Sequence, residues 1–318
     1  MAGQAPFFIV GAGRSGTTLL RLILTGHSRL HIPPETWFLR DLVRQFPLTG
    51  ALTQPQREQA VAAMVRHERW PDLGLDARDL RDSAAGLPPG AGLRELIELV
   101  YARLLAMSGK PRLGDKTPHY FAIVPDLAAL FPEAAFIYLV RDGRDVAISW
   151  IDAGWERYYE RGFEWPRAMA CLRRDRRACQ ERVLEVRYED LVQHLEPTVR
   201  RICDFLGEAF EPAMLDWPAR VEQVAVRDRH LHGRLSQPLS DAAVAVWQRR
   251  LSGGECFAME ACLHQELREG GYALRFGGRG WRPLLLVTVA GLHVLAPLLK
   301  RAIPHLQKRN ILPDQVYF

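Results

Sequence analysis

Four consecutive apolar residues, Phe7-Phe8-Ile9-Val10, run straight into the glycine-rich stretch Gly11-Ala-Gly-Arg-Ser-Gly16, and a helical apolar pattern at Leu19, Leu20, Ile23 and Leu24 begins directly after it. A short apolar run bounded by glycine marks a strand buried on both faces, as in sheets covered by helices on both sides. Strand, turn, helix is the opening of an α/β domain. The pattern recurs. Residues 112–115 predict a strand followed by a helix over 120–131, with Pro118 well placed before it. The AFIYLV run at 135–140 predicts a second strongly buried strand and a helix over 142–152. Residues 182–186 predict a third strand, with helices over 189–195 and 197–206. A short extended piece at 30–32 leads into Pro33-Pro34-Glu35. From 36 to about 109 the periodicity is mostly helical, broken near 47–55, 71–75 and 86–92. The expected architecture is a three-layer α/β/α fold with a central parallel sheet, right-handed crossovers, a P-loop-like phosphate-binding turn and a helical insertion over about 36–110. A chain of 318 residues can bury one sizeable core plus a helical annex. A single domain over 1–280 and a C-terminal apolar helix and tail over 281–318 are expected.

Composition narrows the function classes only modestly. Hydrophobic content of 48% and charged content of 25% are ordinary for a globular protein. The net charge of +5 suits an anionic ligand, or a merely basic surface, and gives no reason to expect nucleic acid. Almost all of the positive charge is arginine; lysine occurs only at Lys110, Lys116, Lys300 and Lys308. Arginine grips phosphate bidentately, although genomic base composition gives the same bias. Five cysteines form no CxxC pair and fall in helical stretches, which predicts small buried hydrophobes in a reduced compartment. The first residues carry no basic region before the apolar run, so that run reads as a core strand and not a signal peptide. A cytoplasmic location is expected. Residues 284–299 are largely apolar but short of the roughly 18 to 20 residues that span a bilayer. Two readings stand for them: a helix packed on the core, or an interfacial helix giving peripheral contact with a membrane.

The turn Gly11-x-x-x-x-Gly16-Thr17-Thr18 has the frame of the nucleotide loop GxxxxGK[ST], which aims backbone N–H groups and a helix N-terminus at phosphate. Thr17 replaces the lysine, and Arg14 puts a cation inside the loop. The chain is thus equipped for one phosphate with an attached anionic group, not for a triphosphate with magnesium. A nucleotide kinase or triphosphatase lacking its lysine is the alternative. Arg141 ends a predicted strand, where α/β folds present ligands. Ser149 follows eight residues later, about two helical turns on. A cation with a hydroxyl donor is what a dianionic phosphate needs. Arg144 beside Asp145 reads as a surface ion pair.

Residues 6–20, PFFIVGAGRSGTTLL, resemble the 5′-phosphosulfate loop of the sulfotransferases that use 3′-phosphoadenosine 5′-phosphosulfate (PAPS), most closely the tyrosylprotein-sulfotransferase-like branch. The resemblance implies that Gly13, Arg14, Ser15, Gly16, Thr17 and Thr18 wrap the 5′-phosphate. FIYLVRDGRDVAIS at 136–149 resembles the second signature, implying that Arg141 and Ser149 hold the 3′-phosphate. VRYEDL at 186–191 resembles the segment whose tyrosine, here Tyr188, lies beside the nucleotide. HGRLS at 232–236 faintly resembles the loop that closes over it, bringing in Ser236 with Trp247 and Leu251 as anchors.

The same resemblance implies the chemistry. Glu35, followed by Thr36, has the arrangement of the branch's catalytic glutamate and is the expected general base, with His119 as the other candidate. A neighbouring arginine would keep Glu35 ionised and burial would raise its pKa; the sequence leaves the outcome open. Lys116 in GDKTPH resembles the lysine that stabilises charge on the transferring sulfonate, a role shared with Arg14, and Asp115 is expected to orient it. The implied activity is in-line transfer of a sulfuryl group from PAPS to an acceptor hydroxyl, leaving adenosine 3′,5′-bisphosphate (PAP), with no metal required. Ala153 stands where the branch has a further arginine, which puts peptide tyrosine in doubt. Peptide, sugar, phenolic and lipid hydroxyls all stay open as acceptors, a cytosolic one being favoured, and the oligomeric state is not legible. The two phosphate grips are expected to be well separated, clasping opposite ends of one bisphosphorylated adenosine.

Overall fold

The computed structural model describes residues 4–154, 164–231, 235 and 238–277. The expectations for 284–299 and for Ser236 lie outside the described residues. The chain divides into two compact units, Met1–Val246 and Trp247–Phe318.

The first unit is built on five parallel strands: β1 (Phe7–Val10), β2 (Leu30–His31), β3 (Arg112–Lys116), β4 (Ala135–Val140) and β5 (Val183–Arg187), in the order β2-β3-β1-β4-β5. β1 is buried along its whole length, as its uninterrupted apolar run predicts. Alternate residues serve opposite layers. Phe7 and Ile9 join a core with Leu20, Ile23, Ile137, Leu139, Val199 and Ile202, contributed largely by helices α1 (Thr17–Thr25) and, later in the chain, 195–206. On the other face Phe8 stacks on Phe136 at 5.4 Å and meets Phe131 at 6.2 Å. The expected helix-flanked parallel sheet is what the chain forms.

The insertion is helical as read: α2 (Leu39–Gln45), α3 (Gln54–Arg66), α4 (Ala77–Ala85) and α5 (Leu93–Ser108), with a 3₁₀ turn at Trp70–Leu73. Thr53 and Gln56 form a reciprocal capping box at the start of α3, and Asp76 accepts from the first N–H groups of α4. These local signals explain why the predicted breaks fall where they do.

The predicted helix over 120–131 needs correction. Pro118–Ile123 winds as 3₁₀ and an α-helix, α6, occupies only Val124–Leu130. Pro125 has no N–H to give residue 121 and its ring would crowd that carbonyl, so it is accommodated only in a first turn. Next, α7 (Gly143–Asp152) begins on Asp142, whose side chain accepts from the Arg144 N–H. Arg144 is no surface residue: it is 1% exposed and pairs with both Asp142 oxygens, at 3.0 and 2.7 Å. The unit continues with α8 (Glu164–Ala178), α9 (Tyr188–Gln193) and α10 (Leu195–Leu206).

In the second unit, α11 (Trp247–Arg250) precedes α12 (Gly253–Glu269), which starts on a Ser252–Glu255 capping box. Buried Glu260 accepts from the backbone N–H groups of Arg275 and Phe276 at 2.8 and 2.9 Å. All five cysteines are free thiols; Cys171, Cys203 and Cys256 are buried as expected, but Cys262 is exposed. No described helix is long and apolar enough to cross a membrane.

Candidate active site

Strand order decides where a site can form. From β1 the chain runs to β2 and β3 on one side, then crosses to β4 on the other. The turns after β1 and β4 therefore diverge at the carboxyl edge, the switch point where open parallel sheets bind ligands. Gly11–Gly16 and Arg141-Asp142 are those two turns. They border a cavity of about 460 Å³ whose wall includes Gly13, Arg14, Gly16, Thr17, Thr18, Glu35, Arg141, Ser149 and Tyr188. Nine of the residues expected at a site thus face one space.

The first turn is shaped for close approach. Gly16 has φ 98°, and a Cβ there would lie 2.5 Å from Cδ2 of Tyr188, so only glycine lets the Tyr188 ring settle on the turn. Arg14 also holds a left-handed φ of 68°, a strained conformation of the kind that gathers at ligand sites. Among the described residues no side chain caps the N-terminus of α1, and a helix N-terminus directs N–H groups toward an anion. The indole of Trp150 donates to the Gly13 carbonyl at 2.8 Å and braces the turn from α7. Ser15 departs from expectation. It is 1% exposed and borders a small void with Tyr138 and Trp165, not the main cavity.

The second grip adjoins the first instead of standing apart from it. Arg14 Nε donates to Ser149 Oγ at 3.3 Å, and an Arg141 Nη donates to the Arg14 carbonyl at 3.3 Å. The other Nη donates to the Ala243 carbonyl at 2.9 Å, and the guanidinium lies 4.3 Å from the Tyr188 ring centroid. Its Nε is buried with no partner among the described residues. An orphaned cationic donor in a cavity wall is costly unless something accepts from it, so the residues fit a bound anion.

Glu35 and Lys116 meet on the β3 side. Lys116, the last residue of β3, donates to Glu35 Oε1 at 2.5 Å and to Thr18 Oγ1 at 3.2 Å. Trp37 Nε1 donates to Glu35 Oε2 at 2.6 Å. Burial pushes the Glu35 carboxyl up, but the charge of Lys116 and the hydrogen bonds from Lys116 and Trp37 outweigh it and hold the pKa below its usual value. The question the sequence left open about Glu35 is thus decided chiefly by Lys116, with a smaller contribution from the charge of Arg69. Burial also lowers the Lys116 pKa, against the pull of Glu35.

Asp115 does not orient Lys116. Its oxygens accept from Thr36 Oγ1 at 2.7 Å and Thr117 Oγ1 at 3.0 Å, beneath the loop that carries Glu35. Burial raises its pKa to about 6 despite those bonds. His119 lines the cavity, pairs with Glu164 at 2.7 Å and stacks on Trp37 at 4.5 Å.

Residues 6–212 match the sequence profile of the Sulfotransferase family. The chain belongs to that family. Sulfotransferase-family relatives include Protein-tyrosine sulfotransferase 1 of Danio rerio, 29% identical over 217 residues that cover 65% of this chain and 54% of the relative. Nodulation protein NoeE of Sinorhizobium fredii is 27% identical over 279 residues, 77% of this chain and 60% of the relative. The chain therefore spans little more than half the length of these two proteins. Among solved structures, the sulfotransferase domain from the curacin biosynthetic pathway superposes with a TM-score of 0.60 at 23% identity, over 84% of this chain and 98% of that one. The sulfotransferase domain of the Synechococcus PCC 7002 olefin synthase gives 0.62 at 23% identity, over 86% and 97%. They share the sulfotransferase fold.

This sulfotransferase-family cavity also carries side chains that no motif announced. Trp37 follows Glu35-Thr36 directly, and its neighbourhood was the one available hint. Arg69 and Asp228, joined at 2.6 Å, both line the wall. Arg69 immediately precedes the 3₁₀ turn at Trp70–Leu73 and Asp228 lies in another at Val226–Leu231, 159 residues on, and nothing in either stretch of sequence marks them.

Proposed function

We propose that the chain is an enzyme that transfers a sulfuryl group from PAPS to an acceptor hydroxyl. One observation carries this reading: two cation-bearing turns, at Arg14 and at Arg141, face the same cavity as Glu35, whose carboxylate is paired with the buried Lys116 behind it. PAPS would supply an activated sulfonate on a 5′-phosphate together with a 3′-phosphate handle. Gly13, Arg14 and the N–H groups of Gly16, Thr17 and Thr18 would hold the 5′-phosphosulfate. Arg141 and Ser149 would take the 3′-phosphate, and Tyr188 would sit beside the nucleotide; Ser236 is proposed for the same end on resemblance alone. Family membership favours this reading over a nucleotide kinase.

Glu35 is proposed as the general base. Each carboxylate oxygen offers more than one lone-pair site, so an acceptor O–H can donate to Glu35 even while Lys116 and Trp37 hold it. Lys116 has three N–H donors, of which Glu35 and Thr18 take two; the third, with Arg14, would stabilise charge on the sulfonate and the leaving oxygen. In this proposal these cations, and not a metal, stabilise the developing charge. We propose a cytoplasmic, hydroxyl-bearing acceptor, with 284–299 as a candidate membrane contact. Calorimetry with PAP tests the donor site: absence of binding heat across a range of temperatures sinks the proposal. Labelled PAPS offered to peptide, sugar, phenol and lipid hydroxyls then identifies the acceptor.

A further inference from the structure

Trp37 is the one bulky aromatic residue of the described chain that holds a left-handed backbone, with φ 55°. Side chains with a Cβ avoid that region, and one found there beside a site is held by surrounding contacts that over-determine it. Two such contacts are present. The indole N–H donates to Glu35 Oε2 at 2.6 Å, and the ring lies 4.5 Å from that of His119. Lys116 holds the other carboxylate oxygen from β3.

The two anchors are not equivalent. Lys116 is an ammonium on a flexible stem, and its remaining task in the proposed reaction is at the sulfonate. A turn of that ammonium toward the sulfonate weakens its grip on Glu35. Trp37 is rigid, neutral and fixed by its ring, so its N–H keeps the same direction whatever Lys116 does. We infer that Trp37 is a positioning residue, whose strained backbone aims the indole N–H at one Glu35 oxygen and leaves the carboxylate's remaining lone pairs turned to the acceptor. This rests on the reading of Glu35 as general base.

A hydrogen bond that favours the ionised carboxylate must also show in its titration. The charged groups around Glu35 are Lys116 and Asp115 from β3, Arg21 from α1 and Arg69 from just before the 3₁₀ turn of the insertion. His119 and Asp228 lie farther along the same wall. A substitution at Trp37 that removes the indole N–H changes none of these groups.

The test follows the Glu35 carboxyl carbon by NMR in protein labelled with 13C-glutamate, the resonance identified by its loss in Glu35→Gln. In Trp37→Phe, which keeps a ring against His119, the titration midpoint moves to higher pH while the affinity for PAP stays within about twofold. A purely structural Trp37 would lower the melting temperature and leave the midpoint where it was; that result overturns the inference and spares the base. Full sulfuryl transfer by Glu35→Gln overturns both. Should Trp37→Phe fail to fold, 15N-tryptophan spectra of the unmodified protein decide. One indole N–H must titrate with pH and lose that dependence in Glu35→Gln, and absence of such a signal overturns the inference.

Discussion

Arg14 Nε donates to Ser149 Oγ at 3.3 Å across 135 positions of sequence. The contact joins the turn after β1 to the middle of α7, and Arg141 closes the same circuit by donating to the Arg14 carbonyl. Two cationic turns that the motifs present as separate devices are one connected wall.

Arg141→Ala is expected to weaken PAP binding about ten- to a hundredfold, from about 1.5–3 kcal/mol for hydrogen bonds to a charged group. Adenosine 5′-phosphosulfate, which lacks the 3′-phosphate, should lose much less. Calorimetry with both nucleotides checks it, and equal losses would remove Arg141 from the 3′-phosphate. Ser149→Ala is the milder companion, expected to cost a fewfold.

Glu35→Gln is expected to lower turnover by about 10²- to 10⁴-fold, the usual span for general acid–base catalysis, with PAP affinity nearly unchanged. Because Lys116 and Trp37 hold the Glu35 pKa below its usual value, wild-type activity should be flat through neutral pH and fall only below the ordinary carboxylate range. The same group adds stability that is present above its unfolded pKa and lost as pH falls through the folded one. A pH–rate profile showing Glu35 titrating near neutrality would contradict this.

Asp115 works in the opposite direction. Its folded pKa is raised to about 6, so between about pH 4 and 6 the folded state binds more protons than the unfolded, and stability falls as pH rises. The shift corresponds to a loss on the order of 3 kcal/mol above pH 6. Asp115→Asn, which cannot ionise, should flatten that part of a denaturant-midpoint against pH curve. An unchanged slope would show that another group is responsible.

Gly16→Ala places a Cβ 2.5 Å from Tyr188 Cδ2 at a φ of 98°. Strain of about 1–3 kcal/mol is expected, together with displacement of the ring that also faces Arg141. Thermal denaturation should show the first, and loss of PAP affinity by about tenfold or more, from the same range of energies, the second. Wild-type affinity would mean that the Tyr188 ring does not contribute to the donor site.

Much of the fold and of the two cationic turns of the cavity was legible because its signals are local. A fully apolar run such as Phe7–Val10 specifies a two-sided strand, and the eight-residue spacing of Arg141 and Ser149, about two helical turns, brings Ser149 toward one face of the helix that follows Arg141. The helix over 120–131 was misjudged because apolar periodicity was weighed ahead of Pro125, whose missing N–H breaks it. Arg144 was misjudged because charge suggests exposure, whereas both of its Asp142 bonds come from within the same turn and let it be buried.

The sequence alone settled the strand–turn–helix opening, the parallel sheet, the helical insertion and the identities of the cationic donors, since each depends on residues a few positions apart. Tertiary structure decided the partners. Lys116 became the counter-ion of Glu35, Asp115 turned to Thr36 and Thr117, Trp37 acquired its strained pose, and Arg69 found Asp228. Each of these depends on which strands lie side by side and on how much water their packing excludes. Coulomb attraction and desolvation vary steeply with distances between segments that no stretch of consecutive residues encodes.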